Sequence, residues 1–369
     1  MEHDAFIQRS VDLQLGEVCL ANLTESDLAA AAALNGASGQ GVIWRQKLTN
    51  AGGPDVKHLS PTEGVSALGT ISPDVKTAKS SSALTEILAA GAEFDFLVDM
   101  QDRRLRRVVG PSGDTFPTFT FNRKIGDKGR ILWPLLGYHS LGEPSFLGPC
   151  DWGDIPWAHK KDIVAWRGAL NGRADWHGDV SKEGMRYRAV LKSFRSGKMS
   201  LSDARRTLEA FPRHRLVSRY INDARFDIGF TDAGGGLSMG DFPFLRNLVR
   251  ARVEMADFQR HKYLLVLKGM DVSSAFYWTM NSGSLGLVMD GVFETFASGH
   301  FKPWEHYVPF RADLNNLEES LEWCHENQNE CEQMTHRARE ICSLIGNRDL
   351  RDKISKNIVR SVSEALERN

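Results

Sequence analysis

The sequence HKYLLVLKGMDVSSAFYWTMNSGSLGLVMD, residues 261–290, contains two apolar runs on either side of a helix-like segment. An apolar run at 262–269 ends in a glycine, a helix-like piece follows at 272–283, and a second apolar run occupies 284–290. A strand, a helix and a strand within about 30 residues form a βαβ unit, and βαβ units build parallel sheets. The stretch therefore predicts an α/β fold.

Further apolar segments on both sides of this unit supply other strands. In the second half they are DIVAWRG at 162–168, RFDIGF at 225–230 and HYVPF at 306–310. In the first half, FDFLVDMQD at 94–102 is a short apolar run that ends in acidic residues. That pattern is typical of a buried strand whose polar end opens into a cleft.

The last part of the chain predicts two helices. Asp313 is placed to cap a long helix that has Glu318 and Glu319 in its first turn and Gly346 near its end. A final amphipathic helix spans about 349–367.

Length and composition favour a folded protein of two domains. The 369 residues exceed what one hydrophobic core usually serves, and 41% apolar with 25% charged residues leaves no case for disorder. Pro, Gly and Trp crowd residues 133–157, which we interpret as the crossing between domains. We predict an α/β domain at 1–150, a second at 151–345 and a C-terminal helix at 346–369.

Charge and hydropathy restrict the partners. A net charge of −1 argues against nucleic acid, because neutralising phosphates takes a clear excess of Lys and Arg. The amino-terminal residues lack the apolar core of a secretory signal, and no run approaches the roughly 20 apolar residues of a membrane span. The sequence predicts a cytoplasmic location, with membrane contact limited to the periphery of the inner face.

The cysteines are five in number and scattered, which argues against a disulfide framework. Cys324, His325, Cys331, His336 and Cys342 suggest zinc, but their spacing does not match the paired ligands of a tetrahedral site. We favour the alternative that Cys324 and Cys331 pack as small hydrophobes on one helix face, together with apolar residues of the same segment. No metal site is predicted.

The glycine turn after the first strand of the βαβ unit is a candidate phosphate site. Parallel sheets bind ligands at the carboxyl ends of their strands, often at the start of the next helix. Gly269 lets the backbone approach a ligand, and Ser273 and Ser274 offer hydroxyls beside free N–H groups. The alternative is a plain turn capped by Asp271 or Ser273, because no GxGxxG or P-loop pattern is present.

A second candidate follows the strand at 162–168. Arg167 and Arg173 flank Gly168 in WRGALNGR, and two guanidinium groups there could hold a diphosphate bidentately and stabilise it as a leaving group. The alternative is a surface loop, with Trp166 in the core.

Asp102, at the end of the segment 94–102, is a candidate general base. An acceptor hydroxyl with a pKa on the order of 15 is a poor nucleophile and needs a base within hydrogen-bond reach. The alternative is a solvated loop acid. Four arginines follow, and they suit an anionic acceptor, lipid headgroups or a solvated basic face: Arg103, Arg104, Arg106 and Arg107.

Four motifs in sequence resemble glycosyltransferase family 90, over about residues 94–345. They are DIPWAHKKDIVAWRGALNGR, RFDIGFTD, HKYLLVLKGMDVSSAFYWTMNSGSLGLV and FKPWEHYVPFRADLNNLEESLEWCHEN. The resemblance implies a GT-B fold, in which two Rossmann-like domains face a cleft and the C-terminal helix packs back on the N-terminal domain. It also implies inverting, metal-independent transfer from a UDP-sugar, without a cofactor, to a saccharide or lipid-linked saccharide of a cell-surface polysaccharide or lipopolysaccharide.

The resemblance also assigns residues. It places the catalytic aspartate at Asp102. Matched motif positions and candidate cations together make up the predicted donor-binding set: Arg167, Gly168, Arg173, Arg215, Lys262, Gly269, Ser273, Ser274 and Ser284.

One position departs from the family pattern. In the animal members an arginine follows the serine of the helix start and helps to hold the diphosphate, whereas this chain has Ala275. Losing a charge-assisted contact forfeits roughly 1.5–3 kcal/mol, which Arg173, Arg215 or Lys262 could restore. Two other hypotheses stay open. The first, based on Ala275, is a catalytically weak or inactive nucleotide-sugar-binding relative. The second is a structural or nucleic-acid-binding protein that uses the arginines after Asp102.

Overall fold

A computed structural model describes most of the second half of the chain and parts of the first. The described residues are 3–17, 20–22, 24, 42–46, 55–60, 64–67, 75–100, 116–127, 129–135, 155–172, 174, 185–231, 238–269 and 272–368. The chain divides into two compact units, each assembled from separate segments. Unit 1 comprises Met1–Gly148, Val292–His300 and Ser343–Asn369, and unit 2 comprises Pro149–Gly291 and Phe301–Cys342.

Helices and strands alternate over residues 226–289, whereas elsewhere several elements of one type follow each other. The strands are β1 (Val42–Gln46), β2 (Asp55–Ser60), β3 (Gly64–Ala67), β4 (Phe96–Asp99), β5 (Thr118–Thr120), β6 (Asn122–Lys124), β7 (Ile131–Leu132), β8 (Lys161–Gly168), β9 (Phe226–Phe230), β10 (His261–Val266), β11 (Leu285–Met289), β12 (Phe293–Thr295) and β13 (Val308–Phe310). The helices are α1 (His3–Leu15), α2 (Val75–Ala89), α3 (Tyr187–Arg195), α4 (Leu201–Leu208), α5 (Pro212–Tyr220), α6 (Met255–Phe258), α7 (Ala275–Asn281), α8 (Leu317–Glu326), α9 (Gln328–Gly346) and α10 (Arg348–Glu367). In the part of the chain that the structure describes, none of these helices combines the length and apolar character needed to cross a membrane.

Unit 1 contains a six-stranded mixed sheet in the order β3-β2-β1-β4-β5-β7. Strands β1 to β3 are antiparallel to their neighbours, whereas β4, β5 and β7 run parallel. The strand predicted at 94–102 is β4, and all four of its residues are buried because the strand lies inside the sheet. It ends at Asp99, three residues before the predicted base.

Unit 2 contains a five-stranded sheet in the order β13-β11-β10-β8-β9, and every neighbouring pair is parallel. The predicted βαβ unit is confirmed, since β10 and β11 pair in parallel on either side of α7 in the sequence. Parallel strands covered on both faces read as continuous apolar runs, and Val164, Leu265 and Leu287 are accordingly buried. The α/β class is thereby confirmed, while the GT-B assignment remains a prediction.

The single long helix predicted over Asp313–Gly346 is instead two helices. Asp313 does not cap the first, because that helix begins at Leu317 with Asn316 at the N-cap position, while the Asp313 carboxylate accepts a hydrogen bond from Arg311 at 2.7 Å. Asn327, with φ −120° and ψ 46°, leaves the helical region between α8 and α9, and its side-chain amide donates to the Trp323 carbonyl oxygen at 2.8 Å. An asparagine that bonds the preceding turn competes with continued helix, which explains the break.

Helix α1 packs against α10 within unit 1, and the segment 292–300 belongs to the same unit. The buried Arg123 guanidinium pairs with Glu294 at 2.7 Å and donates to the Gln14 carbonyl oxygen at 2.8 Å, at the end of α1. Nearby, Nε2 of the fully buried His300 lies 2.8 Å from Ser10 Oγ. The Ser10–His300 contact therefore fixes α1 to a residue 290 positions later, and Arg123 links the end of α1 to Glu294.

His300 should make unit 1 acid-sensitive. Burial lowers its pKa from 6.5 to about 4, because the protonated ring would lose its hydration. Above pH 6.5 the ring is neutral in both states; as pH falls toward 4, the unfolded chain binds a proton that the native chain refuses. We expect this group to reduce the free energy of unfolding by about 3 kcal/mol over that range.

Urea unfolding of the wild type and His300→Gln, from neutral pH to pH 4, measures this effect. The stability deficit of the variant should shrink by about 3 kcal/mol as the pH falls, because glutamine does not titrate. The same substitution at the exposed His159 is the matched control. A deficit that stays constant across the range would contradict the assignment.

Candidate functional site

The sheet of unit 2 has a point where its strand order reverses. Strand β9 lies on one side of β8, and β10, β11 and β13 lie on the other, so the chain order across the sheet is 2-1-3-4-5. In open parallel sheets the loops diverge at such a point and leave a crevice at the carboxyl ends of the two strands. The crevice here lies beyond the ends of β8 and β10.

Glycines bring the backbones of the two loops together at this crevice. Gly172 has φ +101°, and a Cβ on it would lie 3.0 Å from the Gly269 carbonyl oxygen. A Cβ on Gly269 would lie 3.2 Å from Nη2 of Arg213, and one on Gly168 would lie 2.6 Å from the Trp166 ring. The predicted glycines Gly168 and Gly269 thus occupy positions where a side chain would crowd the crevice.

Arg213, in the first turn of α5, crosses the gap between the two strand ends. Its Nε donates to the carbonyl oxygen of Lys268 at 3.0 Å, its Nη2 to that of Leu267 at 2.9 Å, and its Nη1 to that of Ala169 at 3.0 Å. The guanidinium also lies over the Trp166 ring, 5.8 Å from the ring centroid. Three carbonyls and one ring therefore hold a positive charge at the reversal point.

The charge of Arg213 is not balanced within the described part of unit 2. Burial lowers its pKa to about 10, which leaves it protonated at neutral pH. No carboxylate among the described residues lies within ion-pair distance of it. A desolvated cation held only by neutral carbonyls favours an anionic ligand such as a phosphate.

Arg215, a predicted donor-binding residue, lies on the same helix as Arg213. Arg213 itself was not among the predicted residues. Arg215 donates to the carbonyl oxygens of Glu209 and Ala312, each at 3.0 Å, and the second of these follows β13. The sequence feature that could have indicated Arg213 is Pro212, because proline favours the first position of a helix. A helix that begins there and runs back along the sheet places its second residue at the crevice.

The Arg167 guanidinium forms hydrogen bonds within and beside the sheet. Its guanidinium donates to the Asp227 carboxylate at 2.6 Å, to the Asp227 carbonyl oxygen at 2.7 Å and to the Ala251 carbonyl oxygen at 3.1 Å. Asp227 is the second residue of β9, whereas Arg167 pairs in register with Gly229, so the side chain turns back from the carboxyl edge. In this conformation Arg167 secures β9 and presents few free donors.

Ser273 and Ser274 stand just before α7, where the sequence predicted them. The Ser273 carbonyl oxygen accepts from the Phe276 N–H at 2.9 Å, and the Ser274 hydroxyl makes no capping bond. Ala275 is the first residue of the helix.

Lys262 and Ser284 lie at the amino ends of β10 and β11, on the edge opposite the crevice. Lys262 Nζ donates to Gln328 Oε1 at 2.7 Å and lies over the Trp157 ring. Ser284 Oγ donates to the His261 carbonyl oxygen at 2.7 Å. The structure therefore does not bring these two residues together with the glycine turns.

Asp290, which sequence analysis did not select, follows β11 at the carboxyl edge. Burial raises the pKa of its carboxyl group, and the charges of Arg311 and Lys268 partly offset this rise. The edge thus carries the Asp290 carboxylate near the charges of Arg311 and Lys268, a combination that can bind both hydroxyls and phosphates.

Several predictions of the sequence lie outside the described residues. Among them are the base Asp102, the second arginine of the glycine turn, Arg173, and the arginine cluster Arg103, Arg104, Arg106 and Arg107. Their roles stay predictions.

The cysteines of α8 and α9 pack in the core. Cys324 and Cys331 are buried, which confirms the core-packing interpretation for these two, and Cys342 is buried as well. Within the described ranges no group of three or more metal-capable side chains occurs.

Comparison with known proteins gives the context of this crevice. The profile described as "Glycosyl transferase family 90" matches residues 145–345, more than half of the chain. The human "Protein O-glucosyltransferase 1" is 28% identical over 89 residues, which cover 24% of this chain and 23% of the human protein. The "Uncharacterized protein 027R" of Frog virus 3 is 34% identical over 93 residues, or 23% of this chain and 10% of the viral protein. The matched stretches thus span less than a quarter of these relatives.

Proposed function

Since the chain belongs to glycosyltransferase family 90 and is a glycosyltransferase, we propose that it moves a sugar from a UDP-sugar to a hydroxyl of a saccharide or lipid-linked saccharide. The transfer inverts the anomeric carbon and uses neither a metal ion nor a cofactor. A cytoplasmic location and a role in cell-surface polysaccharide or lipopolysaccharide synthesis belong to the same proposal.

The observation that carries the donor part is the placement of Arg213. A nucleoside diphosphate is an anion with planar arrays of acceptor oxygens, which a guanidinium binds in charge-assisted pairs. Arg213 has no carboxylate partner among the described residues and lies where Gly172 and Gly269 leave the backbone open. We assign the diphosphate to this crevice, with Ser273 and Ser274 beside it.

The proposed chemistry adds the predicted residues Asp102 and Arg173 to this diphosphate site. Asp102 takes the proton of the acceptor hydroxyl as that oxygen bonds to the anomeric carbon, and the bond from that carbon to the diphosphate oxygen breaks. UDP leaves from the opposite face with the bonding electron pair, which accounts for inversion. Arg213, together with Arg173, stabilises the charge that grows on the leaving oxygen.

A thermal-shift screen with nucleotide sugars tests the donor. The name of the human relative makes UDP-glucose the first compound to try, with UDP-xylose, UDP-galactose, GDP-mannose and ADP-glucose as comparisons. At 100-fold excess over Kd, a ligand adds about 2.7 kcal/mol, or roughly 5–10 °C in Tm for a domain of this size. A shift with GDP- or ADP-sugars and none with UDP-sugars would refute the assigned donor.

Assays of donor hydrolysis and of sugar transfer distinguish two acceptor classes. The human relative is named for transfer to protein, so a protein hydroxyl is the second candidate beside a saccharide. Ala275 at the start of α7 supports a further alternative, a relative that binds nucleotide sugars without turnover. Donor binding with neither hydrolysis nor transfer to either acceptor class would favour that alternative.

A further inference from the structure

Helices α3 and α4 form a strongly basic hairpin, residues 186–206, on unit 2. It holds seven Lys and Arg residues and one Asp, a net charge of +6 in a chain whose total is −1. The helices are joined by a tight turn in which Gly197 has φ +72°. Such local asymmetry in a nearly neutral protein marks a surface for an anionic partner.

The charges of the basic hairpin face solvent. Arg188, Lys192 and Arg195 follow each other at helical spacing on α3, and all three are exposed, whereas Val190 and Leu191 are buried. On α4, Arg205 and Arg206 are also exposed.

Few of these charges are neutralised. In the described part of the chain, the hairpin makes two ion pairs, Arg195 with Asp241 at 2.8 Å and Arg206 with Asp203 at 2.6 Å. No described carboxylate lies within ion-pair distance of Lys192, Lys198 or Arg205, which are therefore available to a partner.

An apolar side chain stands among these cations. Leu201, the first residue of α4, is 41% exposed directly after the turn, and Arg205 lies one helical turn further along the same face. An exposed leucine close in sequence to Lys and Arg, as Leu201 is to Lys198 and Arg205, is typical of surfaces that insert an apolar group between lipid headgroups. Nucleic acid would use the cations and gain nothing from the leucine.

We propose that the basic hairpin docks on the surface of an anionic lipid bilayer, with Leu201 entering the headgroup region and Lys192, Lys198 and Arg205 contacting lipid phosphates. Both ends of the hairpin lie beside the crevice. Just before the hairpin, the Met185 carbonyl oxygen accepts a hydrogen bond from the Ala174 N–H, and after it α5 with Arg213 follows α4 directly. Docking would therefore bring the crevice toward molecules carried in the bilayer. The proposal does not depend on the identity of the donor or acceptor.

Co-sedimentation of the full chain with vesicles tests the proposal. Wild-type protein should bind vesicles of phosphatidylcholine mixed with phosphatidylglycerol, and not pure phosphatidylcholine vesicles. Each cation near an anionic surface contributes roughly fivefold in affinity, so Lys192→Glu/Lys198→Glu/Arg205→Glu should weaken binding by about 100-fold or more. Leu201→Ser should weaken it further at any salt concentration, since its contribution is apolar.

The matched control is Lys353→Glu/Lys356→Glu/Arg360→Glu on α10, which makes the same change in net charge on exposed residues of unit 1. It should retain vesicle binding, and all variants should keep the wild-type Tm and the UDP-sugar shift. Wild-type protein that ignores anionic vesicles, or a control triple that weakens binding as much as the hairpin triple, would overturn the proposal. So would salt-sensitive binding of single-stranded RNA that the hairpin triple abolishes while vesicle binding persists.

Discussion

Replacing Asp102 with asparagine is expected to lower the turnover number by about 10²- to 10⁴-fold, the usual contribution of a general base, while leaving UDP affinity unchanged. The amide keeps the size of the carboxylate and can still accept a hydrogen bond from the acceptor hydroxyl. It cannot take the proton, so the nucleophile stays neutral. Initial rates of UDP release with saturating donor and acceptor measure the loss, and calorimetry measures the affinity for UDP.

Asp12→Asn, on the exposed face of α1, is the matched control, because it removes a carboxylate from the same unit. Its turnover should equal that of the wild type. Unimpaired turnover of Asp102→Asn would eliminate this residue as the base, and a parallel loss of UDP affinity would show that it holds the donor instead.

Replacing Arg213 with methionine is expected to raise the Kd for UDP by roughly 10- to 100-fold, because a charge-assisted contact to phosphate contributes about 1.5–3 kcal/mol. Methionine keeps an apolar side chain beside Trp166 and removes the charge. Affinity for uridine, which has no phosphate, should not change. The ratio of the UDP and uridine Kd values therefore isolates the diphosphate contact from any general loosening of the crevice.

Two further variants sharpen this test. Arg213→Lys keeps the charge but cannot bridge all three carbonyls, so it should recover part of the UDP affinity. Arg219→Met removes an exposed cation from the same helix and should bind UDP as the wild type does. Equal losses for UDP and uridine in Arg213→Met would mean that the residue only supports the loops.

The parallel sheet of unit 2 was predictable because its strands are buried on both faces. Burial on both faces requires uninterrupted apolar runs, and the run at 261–290 also contains its crossover helix. Strands of unit 1 such as β1 to β3 are short segments among small polar residues, and their pairing is antiparallel. Local sequence carries little information on such pairings, and residues 1–90 accordingly gave no functional prediction.

The candidate site was predictable only in its backbone. Gly168 and Gly269 follow apolar strands, and a ligand crevice at strand ends is a general property of parallel sheets. The cation was not predictable from residue type, because unit 2 is rich in arginine and only the position of the helix start distinguishes Arg213. Lys262 and Ser284, by contrast, lie at the amino ends of β10 and β11, on the edge opposite the glycine turns, and their predicted role in donor binding stays a prediction.

Unit 1 is assembled from three separate segments of the chain, so it cannot finish folding in the order in which the chain is synthesised. Domains generally form as they leave the ribosome, amino-terminal parts first. Here α1 contacts His300, is linked to Glu294 through Arg123 and packs against α10, so its packing is complete only after the carboxyl-terminal part of the chain has been made. The first-made part of this protein is consequently the last to be finished, and a chain that ends before residue 343 would contain every residue of unit 2 but lack one segment of unit 1.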